Sequence, residues 1–223
     1  MVFDSKSSGL VLCEKPFLGA GTPPTAFYDC SRFSNNGSHS AITYVKLPSG
    51  LHVRSFNGST SIVDCGSGVS LGLSLFTLAV WVNTTISTTR QAVICRGGTP
   101  RNYLLDISGS SASKLLTLSY QNSGGTWLSA TGTNLPLIQS NIWYHVAVTF
   151  NLTNIVFYLN AQTDSYSLPG ASAYSSTPLY LGSGSPTWLP LNGYLSLPKI
   201  YNRDISAAQI LAIYESERRW FGV

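Results

Sequence analysis

Along most of this chain apolar residues alternate with polar ones in short runs bounded by clusters of Gly, Asn, Ser and Pro, the period-two signature of strands with one buried face. The pattern predicts strands over 9–14, 40–47, 51–56, 61–64, 76–82, 91–96, 103–107, 115–120, 126–129, 143–150 and 155–159, with a turn-rich segment over 16–37. In 76–82, Phe76, Leu78, Val80 and Val82 share one face, and Thr77, Ala79 and Trp81 the other, which reads as core on one side and half-polar on the other. In 143–150, Tyr144, Val146, Val148 and Phe150 oppose Trp143, His145, Ala147 and Thr149, and the turn 151–154 folds this strand back onto 155–159 as a hairpin. One helix is predicted, over 206–219. Ser206 and Gln209 form a capping box, Ile205 and Ile210 a hydrophobic staple, and Ile210, Ile213 and Tyr214 the buried stripe, while Arg218 and Arg219 suit the negative end of the helix dipole.

Short strands at this spacing, followed by one closing helix, predict an all-β antiparallel two-sheet sandwich. No internal repeat or linker divides the chain, so a single domain over 1–223 is expected, with an aromatic tail at 220–223. Only 10% of the 223 residues are charged, against roughly a quarter in ordinary soluble domains, and the surface is expected to be covered by hydroxyls rather than salt bridges. The net charge of +4 is spread out apart from Arg218 and Arg219, which argues against nucleic acid as a partner. The longest nearly apolar stretch, 71–82, contains Ser74 and Thr77 and is too short to span a bilayer. The opening MVFDSKSSGLVL lacks a signal-peptide layout.

Cys13, Cys30, Cys65 and Cys95 are widely spaced, with no CxxC pair, so a zinc site is not expected. Buried free thiols are the favoured reading, with a Cys30–Cys65 bridge as the alternative for a chain that matures outside a cell. The sequons at Asn36, Asn57, Asn83 and Asn151 carry little weight in a chain so rich in Ser and Thr.

Taken in order, GLVLCEKPF, YDCSRFSNNGSHS, RSFNGSTSIVDCG, SLFTLAVWVN, NIWYHVAVTF, IVFYLNAQ and GYLSLPKIYNRDISAAQILAIY resemble the successive strands and turns of the laminin-G-like, concanavalin A-like (pentraxin-like) jelly-roll family. The resemblance covers nearly the whole chain and implies two packed antiparallel sheets of jelly-roll topology. It also implies a protein that binds glycans or proteins, often with calcium, appended to secreted proteins or found among phage structural proteins. Calcium is therefore the one cofactor candidate. The family's calcium loop is matched by Asp29, Ser31 and the turn at Asn35, Asn36 and Gly37, with Asp29 and Asn36 as candidate ligands. Ser196 and Leu197 stand where the family places acidic residues after Gly193, and an Asx-turn is the competing role for the Asp29 loop.

Catalysis is not expected. No ExDxE run lies on a strand, and Glu215 and Glu217, two apart on a helix, point to different sides, so the two-carboxylate arrangement of a glycoside hydrolase has no visible basis. His145 reads as a structural strand residue, and no serine or cysteine nucleophile is matched to a base. The candidates for ligand contact are the aromatics in or near Gly- and Ser-rich turns, Trp127, Trp188, Tyr120 and Tyr103, which could stack on a sugar; Trp81 and Trp143 read as packing residues. Trp220 and Phe221, at the end of ERRWFGV, are candidates for assembly with a neighbouring virion protein or a second copy, or for folding back on their own sheet. The expected function is a non-enzymatic virion surface component, a capsid or tail decoration of lectin type with host-glycan attachment. The alternatives are a carbohydrate-binding lectin module of a secreted or cell-surface protein and, against the acid distribution, a glycoside hydrolase. The expected location is accordingly the virion surface, or else the extracellular space.

Overall fold

A computed structural model describes residues 8–85, 88–97, 101–108, 114–168, 170, 172–173 and 176–223. In chain order the strands are β1 (Leu10–Cys13), β2 (Ala26–Phe27), β3 (Gly37–Ser40), β4 (Thr43–Lys46), β5 (His52–Asn57), β6 (Ile62–Asp64), β7 (Phe76–Thr84), β8 (Gln91–Arg96), β9 (Tyr103–Ser108) and β10 (Leu115–Gln121). They continue as β11 (Trp127–Thr131), β12 (Tyr144–Phe150), β13 (Asn154–Leu159), β14 (Gln162–Ser167), β15 (Leu179–Leu181) and β16 (Asn192–Tyr201), before the helix α1 (Ala207–Glu217). Two antiparallel eight-stranded sheets result, a jelly-roll sandwich. The first runs β14-β13-β12-β7-β16-β5-β4 with β1 also on β16, and the second runs β11-β10-β9-β8-β15-β6-β3-β2.

Period-two alternation builds the core between them. Phe76, Leu78, Val80 and Val82 of β7 and Val146, Val148 and Phe150 of β12 meet Leu105, Ile107, Leu116 and Leu118 of the second sheet in one cluster. The other face of β7 is also buried, at all nine strand positions. The half-polar outer face expected there is covered because α1 and the residues after it lie across the first sheet. Trp81 stacks on Phe221 at 4.1 Å between ring centroids, and Phe221 also meets Trp143 at 4.8 Å. Phe221 is only 7% exposed and Trp220 is half-buried against the same cluster, so the tail folds back on its own sheet and the Phe221 ring is not a free assembly surface.

The capping box of α1 is present with both of its hydrogen bonds, and Ile205 and Ile210 pack together in one cluster as the staple requires. Glu217 turns inward, pairs with Lys199 and accepts from the Trp81 indole N–H at 2.8 Å, whereas Glu215 stays exposed beside Arg218. The strand expected over 40–47 is β4, and just before it lies β3, which was not expected and belongs to the other sheet. Ala41, with φ 50°, marks the crossing from β3 to β4. Cys13 and Cys30 form a disulfide while Cys65 and Cys95 are buried thiols, which replaces both the all-thiol expectation and the Cys30–Cys65 alternative.

Candidate functional site

The outer face of the second sheet is built from the positions that the core leaves over. With Leu105 and Ile107 inward on β9, Leu104, Asp106 and Ser108 point outward; with Leu116 and Leu118 inward on β10, Thr117, Ser119 and Gln121 point outward; with Ala130 inward on β11, Trp127, Ser129 and Thr131 point outward. The hydroxyls bond across the strands, Ser108 to Thr117 at 2.6 Å, Thr117 to Thr131 at 3.1 Å and Ser119 to Ser129 at 3.1 Å. Beside this band Arg90 holds Asp106 as a fork, its Nε donating to Oδ1 at 3.2 Å and its Nη2 to Oδ2. Asp106 is fully buried, and that burial raises its pKa to about 6 even though Arg90, Arg101 and Lys114 all act to lower it.

At one end of this band two tryptophans and an arginine come together. The Arg101 guanidinium carbon lies over the Trp127 ring at 4.6 Å and over the Trp188 ring at 4.1 Å. Trp127 opens the edge strand β11 opposite Gln121 and is 46% exposed. Trp188 is brought over the sheet by the loop before β16, packed with Leu189 against Ala92, Cys95 and Leu104. A Cβ at Gly184 would sit 2.1 Å from the Trp188 ring, so only glycine allows that ring its place. Arg101 is positioned from both sides: its carbonyl accepts from Gln121 N–H at 3.1 Å, and the next residue, Asn102, is fully buried, accepting from Leu73 N–H at 2.9 Å and donating to the Leu73 carbonyl at 2.7 Å. Cationic and aromatic surfaces are thus held at fixed spacing, with one large ring partly open to solvent.

Two of the four aromatic candidates do not belong to this site. Tyr103 and Tyr120 are fully buried core residues, donating their hydroxyls to the carbonyls of Leu71 at 3.0 Å and Leu168 at 3.1 Å. Their side chains fall on the inward parity of β9 and β10, which the nearby turns obscured. Arg101 was not anticipated, since a lone cation beside a strand carries no sequence signal of the rings that flank it.

The Asp29 loop is a hydrogen-bonded turn. Asp29 Oδ1 accepts from Cys13 N–H at 2.9 Å and Ser31 N–H at 2.8 Å; Oδ2 accepts from the Ser31 hydroxyl and Asn35 N–H, both at 2.7 Å. Asn36 Oδ1 accepts from Asp29 N–H at 2.9 Å. The carboxylate therefore faces the positive ends of four donors, an arrangement that does not fit a calcium ion, which would need those same oxygens. Ser196, in the other candidate segment, lies at a β-bulge of β16 and is buried. Among the described residues no group of three or more His, Cys, Asp or Glu gathers as a metal cluster. Beside the loop is a cleft of ≈ 380 Å³ whose lining includes Glu14, Phe17, Tyr28, Asp29 and Arg54, with Glu14 and Arg54 paired to each other.

A glycoside hydrolase would need a second acid facing Asp106. The charged groups acting on that carboxyl are Arg90, Arg101 and Lys114, all cations. His145, buried with its pKa lowered to about 3 by burial and then by Lys199, packs against Trp81 at 5.3 Å.

A family model described as the concanavalin A-like lectin/glucanases superfamily, Laminin_G_3, matches residues 57–211, well over half the chain. The chain belongs to that superfamily. Solved structures share its fold. The binding domain of Paraclostridial Mosquitocidal Protein 1 superposes with a TM-score of 0.73 at 16% identity over 96% of this chain and 55% of that one. Domain 4 of AbnA, an extracellular arabinanase from Geobacillus stearothermophilus solved in complex with arabinotriose, gives 0.65 at 17% identity over 93% and 98%. The botulinum neurotoxin type G receptor binding domain gives 0.64 at 13% identity over 94% and 52%. The chain spans about half the length of the two toxin domains. No curated protein sequence matches it. As a member of the concanavalin A-like superfamily it carries a lectin-type sandwich, and among its described residues no helix is long and apolar enough to cross a membrane.

Proposed function

We propose that this protein is a non-catalytic glycan-binding module that holds its ligand on the outer face of the second sheet. The observation that carries the reading is the Trp127–Arg101–Trp188 group: a half-exposed indole fixed in place by a cation, next to a band of paired hydroxyls. A flat apolar ring excludes water from the apolar face of a sugar, while neighbouring hydroxyls and N–H groups order the sugar's own hydroxyls. The likeness to a sandwich solved with arabinotriose supports the same reading. The Cys13–Cys30 disulfide supports a location outside a reducing cytosol, on a virion or a secreted protein. The virion context, with its neighbouring-protein or self partner, rests on the sequence resemblance and the hydroxyl-rich composition; the seating of Phe221 removes the tail as its support.

The test is a broad glycan panel probed with the wild-type protein and with Trp127→Ala. Binding to at least one glycan, weakened at least about tenfold by the substitution with no change in Tm, is expected. Retention of all glycan binding by Trp127→Ala would remove this face as the site, and the same panel run with a chelator is expected to give the same result as with calcium.

A further inference from the structure

We propose that the glycan held on this face carries a carboxylate and that Arg101 reads it, an inference that rests on the glycan-binding reading above. The charges on the face are unbalanced. Arg90, Arg101 and Lys114 surround a single carboxylate, Asp106, which is fully buried and already held by Arg90. Three cations against one anion leave an excess of positive charge on a molecule that is otherwise sparing with charge. Such an excess concentrated on one partly dry surface raises the local concentration of anionic ligands.

Unmet hydrogen-bonding capacity gathers at the same place. Among the described residues Arg101 Nε and Gln121 Oε1 are both buried and find no hydrogen-bond partner, although such orphans cost free energy. The two residues are neighbours: Gln121 N–H donates to the Arg101 carbonyl, and Gln121 faces Trp127 across β10 and β11, so their side chains share one side of the sheet. Gln121 Nε2 is already committed to the Gly125 carbonyl at 2.7 Å, which fixes the amide so that its oxygen is the free acceptor. A donor without an acceptor and an acceptor without a donor, both beside the exposed ring, match a sugar bearing both an anionic group and a hydroxyl. The carboxylate accepts from the Arg101 Nε edge, a hydroxyl donates to Gln121 Oε1, and the ring stacks on Trp127. With the two indoles on the guanidinium faces and Cys95 hydrogen-bonded to the side chain, the N–H groups still without a partner, Nε among them, are left to a ligand, and a carboxylate meets such a group with charge-assisted hydrogen bonds.

The experiment compares each of two carboxylated probes, trigalacturonate and sialyllactose, with its own methyl ester, which keeps the ring and removes the charge; dextran sulfate and the neutral panel glycans serve as further arms. At least one acid is expected to bind about tenfold or more tightly than its ester, with an advantage that shrinks between low and high salt. Arg101→Lys, which keeps the charge and loses the fork, is expected to abolish that advantage, read as the ratio of acid to ester affinity because Arg101 also positions the Trp127 ring. Equal binding of acid and ester overturns the proposal but leaves the glycan site standing, as does binding confined to neutral glycans. Dextran sulfate bound while both acids are ignored overturns it in favour of a sulfate ligand or simple cation exchange. No binding of any probe or panel glycan overturns the underlying reading itself. The acid-against-ester comparison uses only the wild-type chain, so it stands even if Arg101→Lys folds poorly.

Discussion

Trp127 and Tyr103 are both aromatic and both near turns, yet substitution should separate them. Trp127→Ala removes a half-exposed ring and is expected to change Tm little, whereas Tyr103→Phe strips the Leu71 carbonyl of its buried donor and should cost about 1 kcal/mol in a denaturant titration, with glycan binding untouched. A loss of binding in Tyr103→Phe would contradict the placement of the site. Trp127 and Trp188 were legible as ligand candidates because Gly- and Ser-rich turns flank them. Tyr103 and Tyr120 were misread because nearness to a turn was weighed above strand parity, and parity decides which face a residue serves. The Asp29 loop was legible as a turn and as its own competitor to a metal site; only the four donors around its carboxylate show which role it has.

At the scale of elements, α1 is the piece whose sequence and structure agree most fully, from the capping box to the staple. Ser206→Ala is expected to destabilise the protein by about 1 kcal/mol through loss of that cap, read as a lowered Tm. Glu217 was treated only as a poor catalytic candidate, yet it is the deepest polar anchor of the helix. Glu217→Ala leaves Lys199 buried without this partner and the Trp81 indole N–H without an acceptor, and is expected to cost about 3 kcal/mol or more. A change below about 1 kcal/mol would contradict that role. The strands that went unread are short or polar: β2 has two residues, β15 three, and β14, the edge strand QTDSYS, has too few apolar residues to show a period. β3, GSHS, escaped notice because it carries no large apolar residue to show a period, while the chain changes sheets at Ala41.

For the whole molecule, the buried His145 and the half-buried His39 set the response to acid. His145, at about 3, lies against Trp81, Tyr214 and the charge of Lys199; His39, lowered to about 4 by burial and then by Arg54, lies against Tyr44 and accepts from Arg54 Nε at 3.2 Å. As pH falls below 6.5, the unfolded chain protonates both rings and the folded chain neither, so acid destabilises the fold. Asp106 acts oppositely: raised from 3.8 to about 6, it takes up its proton in the folded state first and so stabilises that state as pH falls through this window. Two protons against one leave a net loss of stability on acidification between pH 6 and 4.5, seen as a falling Tm; a Tm that rises on acidification would contradict the lowered pKa values of the two histidines. Over the same range protonation of Asp106 makes the outer face more positive, so the proposed acidic glycan should bind more tightly at pH 5 than at pH 7. The fold class was legible because alternation and turn chemistry repeat along the whole chain, whereas the site joins β11, the segment before β9 and the loop before β16, which only tertiary structure brings together. The most direct test of the account is a crystal structure of the protein with a bound panel glycan. Sugar density stacked on Trp127 and within hydrogen-bond reach of Arg101 is the predicted result; density in the cleft beside Glu14, Tyr28 and Arg54, with the Trp127 face empty, would contradict it.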